Sequence, residues 1–156
     1  MNILIKQELF KMYKKKSSII FPIIIILLMI LFAFLSKQYP NIFEKEMQFK
    51  SGFTGFSWVT FLMIVQASTI ITMEFSYGTI KNLLYRKYSR TQIIFSKFIA
   101  LFLYSLTLFM GIVLFSFLLK IMFFNHLDVT HVTHNNMNLI QELMLNTVGN
   151  YIGLWL

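Results

Sequence analysis

Apolar residues gather into three long runs, Ile19–Leu35, Phe53–Met73 and Phe98–Leu119, and none of them contains Lys, Arg, Asp or Glu. As a helix, each run is about long enough to cross a hydrocarbon core of roughly 30 Å. The pattern predicts an all-α integral membrane protein with spans over 17–36, 53–73 and 90–124. Ahead of the first run, Ile5, Leu9, Phe10, Met12 and Tyr13 fall on one side of a helical wheel, with Gln7, Glu8, Lys11, Lys14 and Lys15 on the other. That pattern predicts an amphipathic basic helix over 1–16, lying in the membrane interface. After the polar stretch Asn125–Asn136, helical periodicity resumes at Leu139, Leu143, Val148, Tyr151 and Trp155. The start of a fourth helix is expected over 137–156, although Glu142, Asn146 and Asn150 keep it from being a clean span. The sequence stops inside the apolar segment Tyr151–Leu156, which reads as the truncation of a longer chain.

Two local signals refine the spans. Ser89 followed by Gln92 is a capping-box pattern, so the third helix is expected to begin at Arg90, before its apolar run. A helix from Arg90 to Phe124 would be about 50 Å long, leaving its first two turns outside the bilayer. Lys97 then sits where its stem snorkels to the inner interface. Pro22 falls near the inner end of the first span, where a helix tolerates it best.

Composition agrees with the pattern. The 156 residues are 57% hydrophobic and only 13% charged, too few charges to solvate a globule of this size. There is no Cys, which excludes disulfides and thiolate metal sites. The net charge of +8 would suggest nucleic acid in a soluble protein. Here the basic residues flank the spans, so they report orientation, and no nucleic-acid partner is expected. Lys6, Lys11, Lys14, Lys15 and Lys16 precede the first span, and Lys81, Arg86, Lys87, Arg90 and Lys97 lie between the second and third. Both segments are therefore assigned to the cytoplasm, and the excess of Ile, Lys, Asn and Phe with few Ala and Pro fits an AT-rich bacterial genome, so a multi-pass protein of a bacterial cytoplasmic membrane is expected. The first run is too long for a signal-peptide core, and Phe34, Leu35, Ser36 and Lys37 offer no small-residue cleavage site.

Catalytic chemistry is not evident. No glycine belongs to a P-loop, no cofactor motif is present, and no set of acid, base and nucleophile converges, so the chain is not expected to be an enzyme. No charged residue lies deep in a span, which argues against an ion-coupled carrier. His126, Asp128, His131 and His134 cluster in an outward segment and read as a solvated loop rather than a metal site. Gln66, near the middle of the second span, is expected to make an interhelical hydrogen bond, with substrate contact as the other option.

The segment Met73–Arg90 is the most specific. Glu74 ends the second span, Gly78 breaks it, and Thr79–Arg86 forms a short helix with Ile80, Leu83 and Leu84 on one face. That helix is too short to stand alone. Burying Leu83 and Leu84 would stabilise a contact by about 1.5–3 kcal/mol each, so the membrane, the N-terminal helix or another protein must cover them. Glu74, Gly78, Thr79, Leu83, Leu84, Ser89, Arg90 and Lys97 resemble, in order and spacing, the first cytoplasmic loop of type-2 ABC transporter permeases. The amphipathic N-terminal helix resembles that family's connecting helix. The family's Pro before Ser-Arg is replaced by Lys87-Tyr88. The resemblance implies that 78–88 is a coupling helix, with Glu74, Gly78, Thr79, Ile80, Leu83, Leu84 and Arg90 meeting a separate ABC ATP-binding subunit. It further implies a second permease copy or a homologous permease, and export of a peptide, antibiotic or other amphiphile. Only the first half of a six-span permease is covered. The alternative is a small membrane protein that does not transport, such as a bacteriocin-immunity or stress-response protein.

Overall fold

The computed structural model describes residues 2–76, 89–125 and 137–156. All regular structure there is helical: α1 (Asn2–Lys14), α2 (Lys16–Gln38), α3 (Lys45–Lys50), α4 (Gly55–Ser76), α5 (Arg90–Phe123) and α6 (Leu139–Trp155). No strand occurs among the described residues. Three stretches are long and apolar enough to cross a membrane: Lys16–Gln38, Lys45–Ile70 and Thr91–Phe123. This is an all-α, multi-pass membrane protein.

The middle stretch is not one helix. The apolar run suggests a helix from Phe53, yet α4 begins at Gly55. Before it, α3 ends in a Schellman turn: the Phe53 N–H donates to the Gln48 carbonyl at 2.7 Å and the Gly52 N–H to the Phe49 carbonyl at 3.0 Å. Gly52 supplies the left-handed residue (φ +60°), and Phe53 and Thr54 continue left-handed at φ 49° and 63°. That conformation costs about 1–2 kcal/mol per non-glycine residue. Packing offsets the cost. Phe53 is fully buried, with its ring stacked on Phe124 at 6.1 Å.

Three hydroxyls within the spans are satisfied by their own helix. The hydroxyls of Thr60, Ser68 and Thr72 donate to the carbonyls of Phe56, Ile64 and Ser68, four residues back, so they carry no unmet hydrogen bond toward lipid.

The chain packs as two compact units. The first comprises 1–21 and 61–107, and its core holds Leu4, Met12, Leu62, Met63, Ala100 and Tyr104 together with the polar Glu8, Ser18, Gln66 and Ser96. The second comprises 22–60 and 108–156, and its core sets Phe49, Phe53, Phe56, Phe109 and Phe124 among aliphatic residues such as Ile25, Met29 and Leu143. Phe56 stacks on Phe109 at 5.7 Å, Tyr151 meets Phe109 edge-on at 5.3 Å, and Phe49 meets Phe117 edge-on at 5.7 Å. In this unit α3 is fastened to α6: Lys50 pairs with Glu142, and Asn146 Nδ2 donates to the Lys50 carbonyl at 3.0 Å. Glu142 and Asn146, the residues that spoil α6 as a span, are thus its contacts with α3.

Candidate functional site

In the first unit, α1 is tied to α5 by ions rather than by apolar surface alone. The wheel places Glu8 on the polar side of α1, but the structure turns it inward. Leu4, Glu8 and Met12, spaced four apart, form the buried stripe, while Phe10 and Tyr13 stay largely exposed. Glu8 is buried because a cation faces it. Its Oε2 accepts from Lys97 Nζ at 3.0 Å and its Oε1 from Lys11 Nζ at 2.8 Å. The Lys97 and Glu8 side chains are only 13% and 11% exposed. Lys97 therefore ends on a carboxylate and not simply in the interfacial water its position suggests. Burial alone would push the Glu8 carboxyl up; the hydrogen bonds and charges of Lys11 and Lys97 outweigh it and hold the group below its ordinary 4.5.

A second, neutral cluster lies in the same unit. Pro22 has no N–H, so the carbonyl of Ser18, four residues earlier in α2, loses its helical donor. The Tyr104 hydroxyl replaces it, donating to the Ser18 oxygen at 3.2 Å. Gln66 Nε2 donates to Ser18 Oγ at 3.1 Å, and Gln66 is almost fully buried. Gln66 thus makes an interhelical hydrogen bond from α4 to α2. Thr107 gives its proton to the Tyr104 carbonyl at 2.7 Å, which leaves Tyr13 as the donor in the 2.9 Å contact between the Tyr13 and Thr107 hydroxyls. The rings of Tyr13 and Tyr104 meet edge-on at 5.4 Å. Four helices, α1, α2, α4 and α5, meet through these side chains.

α4 runs to Ser76 and α5 starts at Arg90. The start is capped as its sequence suggests: the Ser89 N–H donates to Gln92 Oε1 at 3.3 Å and the Gln92 N–H to Ser89 Oγ at 3.4 Å. Glu74 lies in the last turn of α4 and Arg90 opens α5. Gly78, Thr79, Ile80, Leu83 and Leu84 lie outside the described residues, as do His126, Asp128, His131 and His134. Among the described residues no group of His, Cys, Asp or Glu is arranged to hold a metal ion. Within the second unit, Thr60, Asn146, Gly149, Asn150, Gly153 and Leu154 line an open groove of about 500 Å³ with no charged wall.

Sequence reasoning found Gln66 and the α5 cap. It missed the Glu8–Lys97 pair and the use of Tyr104. The one signal for the pair was a lone carboxylate in a lysine-rich helix; the signal for Tyr104 was Pro22, which frees a carbonyl in the helix that contains it.

Residues 4–154 match the family described as ABC-2 family transporter protein. The chain is also similar to the uncharacterized protein YhcI of Bacillus subtilis (strain 168), 31% identical over 116 aligned positions, covering 65% of this chain and 37% of that relative. The chain thus spans well under half the length of that protein. No solved structure matches it. A match that runs nearly end to end and takes in the six described helices identifies the chain as a member of the ABC-2 transporter family.

Proposed function

We propose that the chain is the membrane-spanning permease part of an ATP-driven ABC exporter. The family match over residues 4–154 carries this reading, because it includes the loop between α4 and α5 and both helices that flank it. A separate ABC ATP-binding subunit hydrolyses ATP, and residues 78–88 dock on it through Ile80, Leu83 and Leu84, with Glu74, Gly78, Thr79 and Arg90 setting the helix ends. The N-terminus and this loop face the cytoplasm of a bacterial cell. A second copy or a homologous permease completes the transport path for a peptide, antibiotic or other amphiphile.

The proposed mechanism is mechanical. Closure of the ATPase pushes on the loop, and α4 and α5 carry the displacement. The Glu8–Lys97 pair, about two turns into α5, supports this reading: a push on the start of α5 takes α1 with it. The Ser18–Gln66 bond links α4 to α2 in the same unit.

The test is affinity purification of the tagged full-length protein from its native membranes. A cassette ATPase should co-purify with wild type and be lost on Leu83→Asp, with membrane insertion unchanged. Unaltered recovery of the ATPase with Leu83→Asp would overturn the docking role of the loop.

A further inference from the structure

We propose that the exposed face of α1 docks on anionic phospholipid headgroups. Residues 1–16 contain five lysines and a single carboxylate, Glu8. The fold removes that carboxylate from the surface, turning it inward and neutralising it with Lys11 and Lys97. The exposed face is left with no acid. Lys6 and Lys14 are exposed on it, Lys16 is exposed just beyond its end at the start of α2, and none of the three has a carboxylate partner among the described residues.

The apolar residues of this face are placed among those lysines. Ile3, Phe10 and Tyr13 are 67%, 59% and 48% exposed. Around a helix of about 3.6 residues per turn, the order is Tyr13, Lys6, Phe10, Ile3, Lys14, an arc of roughly 100°. An apolar centre thus has an ammonium group on either side. Lys14 Nζ also sits 4.9 Å from the centre of the Phe10 ring, holding cation and ring at one level. This arrangement matches a headgroup boundary, where rings enter the acyl region and ammonium groups reach phosphates. Each lysine near an anionic surface strengthens such binding by roughly fivefold, and a zwitterionic surface lacks that term. The inference goes beyond the transport reading and does not depend on a cassette partner.

The chain has no Cys, so Phe10→Cys accepts one nitroxide label and nothing else reacts. The labelled chain is placed in nanodiscs of phosphatidylcholine alone, or with about a third phosphatidylglycerol, and its accessibility to oxygen and to a water-soluble nickel chelate is measured. The label should be lipid-immersed in the anionic discs and water-accessible in the zwitterionic ones. In the Lys6→Gln, Lys14→Gln, Lys16→Gln variant the phosphatidylglycerol response should weaken roughly fivefold per lysine. The corresponding Lys→Arg variant should keep the response, which separates charge from folding. Equal immersion in both discs would overturn the proposal, since the apolar residues alone would then suffice. Shielding from both reagents would overturn it in favour of a protein partner.

Discussion

The two packing units of this chain are held together by different physics. The first, 1–21 with 61–107, is organised around polar atoms: the Glu8–Lys97–Lys11 triad and the Ser18 node that receives Gln66 and Tyr104. The second, 22–60 with 108–156, is organised around rings, with Phe53 on Phe124 and Phe56 on Phe109. In lipid there is little hydrophobic drive between helices, so close packing and hydrogen bonds must select the partners. Ring packing tolerates few rearrangements because it depends on fit over a whole surface. A few directed hydrogen bonds between helices can break and re-form singly. The polar unit contains the end of α4 and the start of α5, the two helix ends that flank the proposed coupling segment.

The largest effect is expected where the aromatic unit is overfilled. A Cβ on Gly55 would lie 3.0 Å from Ile112 Cγ2 and 3.1 Å from Met29 Sδ. Gly55→Leu should therefore destabilise by about 3 kcal/mol, read by thermal unfolding in detergent, with α1 contacts intact. A Gly55→Leu chain as stable as wild type would mean that this unit is loosely packed.

Next comes the ion pair. Lys97→Met leaves Glu8 with Lys11 alone and should cost about 2 kcal/mol, below the value for a fully buried pair because Lys11 remains. Exchanging the charges, Glu8→Lys with Lys97→Glu, should recover part of the loss, because the clash it creates with Lys11 does not cancel the restored pair. The pH dependence has a definite sign. The Glu8 carboxyl is held below its ordinary 4.5, so its contribution is fully present above that value and fades as pH falls through the lowered one. The stability difference between wild type and Glu8→Gln should be constant near neutrality and shrink in acid below 4.5. A difference that grew in acid would contradict the pairing.

A smaller, sharper effect tests the Pro22 account. Tyr104→Phe strips the Ser18 carbonyl of its donor and should cost about 1–2 kcal/mol. In a Pro22→Ala background, residue 22 supplies the missing N–H, and the same change should cost less than about 0.5 kcal/mol. Equal costs in both backgrounds would show that Tyr104 acts for another reason. Gln66→Leu should have the smallest effect, about 0.6 kcal/mol, as is usual for one interhelical hydrogen bond in a membrane.

How much of this was legible in the sequence depended on the distance over which each feature acts. The three apolar runs and the Ser89–Gln92 cap are local patterns, so the helical membrane architecture and the start of α5 could be read directly. Glu8 could not. A wheel assigns it to water because nothing within the helix shows that Lys97, far along the chain, faces it. The break before α4 was hidden for a related reason. Phe53 and Thr54 look like ordinary residues of an apolar run, and it is the burial of Phe53, stacked on Phe124, that offsets their left-handed backbone. α3, six residues with three lysine or glutamate charges in its first two and last positions, has no apolar stripe to announce it and is fixed by Glu142 and Asn146 of α6. The proposed coupling residues Gly78, Thr79, Ile80, Leu83 and Leu84 rest on the sequence resemblance, with the capped start of α5 as their structural neighbour.

Docking of the segment between α4 and α5 is tested with the tagged full-length protein co-expressed with a cassette ATPase recovered from its own membranes, measuring ATPase retained on the permease for wild type and for Leu83→Asp. Wild type should retain the ATPase and the variant should lose it, with both permeases inserted to the same level. Retention that does not change with the substitution, or a wild-type permease that recovers no ATPase, would contradict that docking.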